Sequence, residues 1–143
     1  MNWKDGRVQS SFSQRRIVGY VWEEFTMTIQ ECYRCLGEDY AGALDRLVTA
    51  ERVEKFFKRL SKDQNFSLLC QAIEEENAEG AFCAAHSLKG LAMFLGLEEL
   101  SGAASALTES LRDGQITQEA GAFLVDVCEA YEKVLKVIDT FYD

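Results

Sequence analysis

Residues 81–97 read AFCAAHSLKGLAMFLGL and hold the single histidine of the chain, His86. At about 100° per residue in a helix, Ala81, Ala85, Leu88, Ala92 and Leu95 line up as one apolar stripe suited to packing against other helices. His86 falls on the far side, about 150° from the middle of that stripe by the same arithmetic. It is therefore expected to face solvent. Phe82, Lys89, Gly90 and Met93 stand at offsets of minus four, plus three, plus four and plus seven from it, forming a second stripe around the imidazole.

An exposed Phe and Met flanking a histidine, with a cation one turn away, suit a small docking surface better than a solvated face. Gly90 adds to this, because glycine inside a helix costs about 1 kcal/mol relative to alanine. Its missing side chain lets another molecule approach the imidazole. Neutral imidazole is a competent nucleophile near neutral pH, and Lys89 is placed to offset negative charge on a phosphorylated ring nitrogen. No carboxylate partner is evident for His86, so the expected role is acceptor and carrier, not the base of a triad.

Ala85-His86-Ser87-Leu88-Lys89-Gly90, followed by Leu95-Gly96, resembles the AHxLKG…LG signature of histidine-containing phosphotransfer (HPt) domains, with Ser87 where many members carry Thr. Leu36-Gly37-Glu38-Asp39-Tyr40, Leu44-x-Arg46-Leu47 and the 56–69 region extend the likeness to the preceding helices. The resemblance implies an all-α fold, an antiparallel four-helix bundle with additional short N-terminal helices. It also implies that His86 is the phosphoacceptor, that Lys89 steadies the phosphoryl group, and that Gly90 leaves room for a receiver domain, whereas family members often carry a small or polar residue where this chain has Met93 or Phe94. The implied partners are receiver domains of hybrid histidine kinases and response regulators. Catalytic apparatus, magnesium included, belongs to those receivers. The protein is thus expected to be a carrier and not an enzyme, with no cofactor and no metal of its own. Two alternatives are an adaptor that binds receivers without taking phosphate and the phosphoacceptor module of a chemotaxis-type kinase.

At 143 residues the chain suits one domain with a sizeable core. Proline is absent, which favours long uninterrupted helices. A net charge of −9 argues against nucleic acid or an anionic membrane as partner, since both reward basic surfaces. A cytoplasmic, monomeric protein is expected. The five cysteines, Cys32, Cys35, Cys70, Cys83 and Cys128, read as free thiols. Cys32-x-x-Cys35 has no second pair at matching spacing, so small residues on an amphipathic helix are preferred to a zinc or redox site.

Residues 1–26 differ in texture and are set apart from an HPt domain at 27–143. The apolar run 17–22 is too short to span a bilayer. Arg15-Arg16 hints at a twin-arginine signal, against which stand Glu23-Glu24 and the lack of a cleavage motif. Trp22-Glu23-Glu24 can be encoded by a purine-rich ribosome-binding sequence, which makes Met27 a candidate start. The rival reading is an extra helix, which the Ile17, Val21, Phe25 spacing permits.

Beyond it, helices are expected at 28–36, ended by Gly37; at 40–47, capped by Asp39; from Thr49, with Val53, Phe56, Phe57 and Leu60 on one side; and at 66–76, capped by Asn65. Lys55, Lys58, Arg59 and Lys62 form a basic cluster on the third. It reads as a wet face, or as a contact for an acidic receiver surface if it lies beside His86. Asn77 opens the central helix, which closes near Gly96. A helix at 98–112, with a slim face of Leu100, Ala103, Ala104, Leu107 and Leu111, is ended by Gly114. Thr117 caps the last, running to about Tyr142, with the strongest periodicity in the chain.

Overall fold

The computed structural model describes residues 14–18, 21–25 and 28–142, with side chains from 28 to 140. The fold is all-α. Seven helices are described: α1 (Ile29–Leu36), α2 (Tyr40–Leu47), α3 (Ala50–Arg59), α4 (Asn65–Glu74), α5 (Ala78–Phe94), α6 (Glu98–Ser110) and α7 (Gln118–Tyr142). A single 3-10 turn, Leu60–Lys62, joins α3 to α4. Ahead of them, β1 (Gln14–Val18) and β2 (Val21–Phe25) pair antiparallel, with Ile17 opposite Trp22. The helical reading of the Ile17, Val21, Phe25 spacing therefore fails. That segment is rich in β-branched and aromatic residues, which favour extended backbone. The candidate start at Met27 lies outside the described residues.

Helices α4 to α7 form the antiparallel bundle, consecutive helices being joined by short turns. Helix α5 is central, packed between α4 and α6, and α6 packs in turn on α7. At 1.5 Å per residue α7 is roughly 38 Å long. It reaches past its bundle neighbours to touch α1, α3 and the 3-10 turn. The slim face of α6 explains its close seat, since Leu100, Ala104, Leu107 and Leu111 are all buried. On α7, Val127, Tyr131, Val134 and Ile138 are buried as their spacing predicts.

Most helix ends obey local rules. Thr28 and Glu31 form a reciprocal capping box on α1, and Gly37 ends it in the left-handed conformation. Asp39, Thr49, Asn77 and Thr117 accept from the first-turn amides of α2, α3, α5 and α7. Asn65 is not the cap of α4 but its first residue. The cap position falls to Gln64, whose side chain makes no capping bond, and the carboxylate of Asp63 accepts from the Asn65 backbone N–H at 3.0 Å.

Two tyrosines bind the small helices to the bundle. Tyr33 Oη, on α1, donates to the Leu95 carbonyl at 2.6 Å, and Tyr131 Oη, on α7, donates to the Leu60 carbonyl at 2.9 Å. Both hydroxyls are buried, and burial raises the phenol of Tyr131 to about 12. Tyr33 also packs against Tyr40 and Phe57, and Phe66 stacks on Tyr131 with centroids 4.3 Å apart. The C-terminal end of α5 is thereby fixed by α1 to α3, leaving its middle turns free to present a site.

Candidate functional site

Helix α5 is divided lengthwise. Ala81, Ala85, Leu88 and Ala92 are fully buried, as is Leu95 just beyond its end. His86 lies on the opposite side and is exposed. The second stripe is also where its spacing predicts: Phe82 and Lys89 are half-buried, and Gly90 and Met93 are exposed, Met93 by 53%. A Cβ added at Gly90 would meet nothing within 4 Å. No packing demand explains that glycine, and the space beside His86 is open.

The imidazole is not isolated. The rings of Phe82 and His86, one turn apart, are stacked at an interplanar angle of 7° with centroids 6.1 Å apart. Arg112, just past the end of α6, places its guanidinium carbon 5.3 Å from the centre of the Phe82 ring. Glu109 holds Arg112 in a two-pronged contact, Nε to Oε1 at 3.0 Å and Nη2 to Oε2 at 2.7 Å. That hydrogen bond, with a smaller contribution from the positive charge of Lys89, keeps the Glu109 carboxyl below its ordinary range. Lys89 and Glu109 thus belong to one electrostatic neighbourhood, and the site spans α5 and α6.

Glu109 and Arg112 are absent from the sequence-level site. Their spacing of three on a helix announces an ion pair, which on an exposed surface is worth little by itself. Their meaning depends on how α6 is rotated against α5. The available signal was their position beside Leu107 and Leu111, at the border of the buried face.

On the other flank of His86, Cys83 and Ser87 line a groove of about 360 Å³ between α4 and α5, with Leu68 and Gln71 opposite. Among the described residues no group of three or more His, Cys, Asp or Glu side chains is arranged to hold a metal ion. Among the described residues the cysteines form no disulfide. No helix among the described residues is long and apolar enough to cross a membrane.

The helical bundle presents an exposed histidine from its central helix, and comparison with known families gives the class. The family model of the Hpt domain matches residues 51–137, more than half of the chain, and the chain belongs to that family. Membership makes histidine phosphotransfer in two-component signalling its field of chemistry, and makes it a carrier module that interacts with receiver domains. No curated protein and no solved structure matches the chain.

Proposed function

We propose that residues 27–143 act as a phosphorelay carrier in the cytoplasm. His86 accepts a phosphoryl group from the aspartyl phosphate of one receiver domain and passes it to another. A ring nitrogen of the neutral imidazole attacks phosphorus as the acyl phosphate P–O bond breaks, and the aspartate leaves as a carboxylate. Lys89 offsets the charge of the transferred group, and Gly90 gives the receiver room to bring its aspartate within reach.

One observation carries this reading: an exposed imidazole on the side of α5 opposite its buried stripe of Ala81, Ala85, Leu88 and Ala92, with empty space one turn away. Phe82 and Met93 supply apolar contact on either side of it along the same face. Such a surface suits a small interface that releases its partner after each transfer.

The test is direct. Incubation with a phosphorylated receiver should place an acid-labile label on the wild-type protein and none on His86→Gln. Receiver binding without label would replace the carrier with an adaptor.

A further inference from the structure

At the C-terminal end of α5 the site continues into a feature that phosphoryl chemistry does not require. Met93 lies on the His86 face two turns along, about 10 Å by helical rise, and Phe94 beside it is 39% exposed. Phe94 meets Phe56 of α3 edge-on, centroids 6.2 Å apart at 85°. The guanidinium of Arg59 lies over the Phe56 ring, 5.5 Å from its centre. From α2, Arg46 Nε donates to the Phe94 carbonyl at 3.0 Å. Two exposed apolar side chains are therefore rimmed by arginines from two other helices, in continuity with the histidine.

The structure divides the basic cluster of α3. Lys55 and Lys58 share their surface with Glu51 and Glu54, a mixed and solvated face. Arg46 shares its hollow with Asp39 and Glu98. Arg59 is exposed and stacked, with its planar fork held beside the apolar patch. An arginine so held is pre-ordered for two-pronged contact with a carboxylate.

We infer that Met93, Phe94 and Arg59 select among receivers by docking one whose contact face carries an apolar side chain beside a carboxylate. This rests on the phosphocarrier reading, since it names the partner surface of the same site. The chain carries a net charge of −9, so an acidic partner meets repulsion at long range and attraction must come from a local cation. That arrangement serves discrimination better than raw affinity.

The test uses the full chain and receiver domains from the same genome, phosphorylated with acetyl phosphate. Arg59→Glu should raise the receiver concentration needed for half-maximal labelling by about tenfold, with the maximal rate unchanged, while Arg59→Lys stays within about threefold. Labelling of His86 by phosphoramidate, which needs no docking, should be equal in all three proteins. An unchanged half-saturating concentration in Arg59→Glu, or an equal loss with phosphoramidate, overturns the inference. If phosphoramidate labels His86 and no receiver does, the carrier reading falls by itself. The Met93 methyl resonance then decides the docking surface: a shift on adding unphosphorylated receiver, weakened by Arg59→Glu, sustains it, and no shift with any receiver overturns it.

Discussion

The imidazole of His86 lies nearly parallel to the ring of Phe82, 7° between planes and 6.1 Å between centroids, and Arg112 closes over the same phenyl ring. His86 is exposed, and its neighbour Phe82 on the same helix packs under a guanidinium from just past the end of α6. Phe82→Leu keeps apolar bulk and removes the aromatic plane. It should slow phosphoryl transfer several-fold while shifting stability by less than about 1.5 kcal/mol. The imidazole proton resonances should lose the ring-current shift from Phe82. Transfer at the wild-type rate would show that the stack has no positioning role.

His86→Ala should abolish labelling and leave thermal unfolding nearly unchanged, within about 0.5 kcal/mol, as for surface substitutions remote from packing. The basis is the exposure of the side chain on α5. A large loss of stability on denaturant titration would mean that the ring supports the bundle.

Gly90 separates folding from function. Because a Cβ there meets open space, Gly90→Ala should stabilise α5 by about 0.5–1 kcal/mol through helix propensity alone. Gly90→Gln should fold equally well and transfer poorly, since the longer side chain occupies the receiver's approach. Chemical denaturation paired with a transfer assay checks both halves. Full transfer by Gly90→Gln would leave this glycine without a role.

Gly96 is the opposite case, a glycine required by the fold. Its φ of +69° is left-handed, and an added Cβ would run into the Asp39 carbonyl oxygen, whose own residue donates N–H to the Gly96 carbonyl at 3.0 Å. Gly96→Ala should destabilise by about 2–4 kcal/mol, combining backbone strain with the displacement of a neighbouring loop. Differential scanning calorimetry should show a fall in Tm. Unchanged stability would contradict the close approach of these two turns.

The contrast between the two glycines marks how far the sequence could be read. The helix caps at Asp39, Thr49, Asn77 and Thr117 follow from side chains acting on their own first turn, and the buried stripe of α5 follows from periodicity. Such signals are local, so they are legible. The same logic erred at Asn65, which is the first residue of α4 with its own N–H held by Asp63, and at Ile17, Val21 and Phe25, where a spacing of four is compatible with strands as well. Arg112 over Phe82, Phe94 against Phe56 and Asp39 against Gly96 join residues far apart in the chain. Which faces meet is decided by the rotation of each helix in the bundle, and no single segment encodes it.

Glu38 offers a test of that long-range wiring. Leu97, which precedes α6, has no side chain to cap it, and the Glu38 carboxylate accepts instead from the backbone N–H of Glu98 at 2.6 Å and of Glu99 at 3.4 Å. Burial is the largest influence on this group and, with the negative charges of Glu99 and Glu98, raises its pKa above the ordinary 4.5, while the two hydrogen bonds pull it down. A carboxyl raised on folding binds protons more readily in the native state. Its contribution to stability is then fully present below the unfolded value and is lost as pH rises through the folded one. Glu38→Gln keeps a carbonyl acceptor for α6 and never ionises. The stability of wild type minus that of Glu38→Gln, measured by urea denaturation, should accordingly decline as pH rises from below 4.5 toward neutrality. A difference that grows with pH would mean that the amides of α6 outweigh burial, and that the ionised cap is the stabilising form.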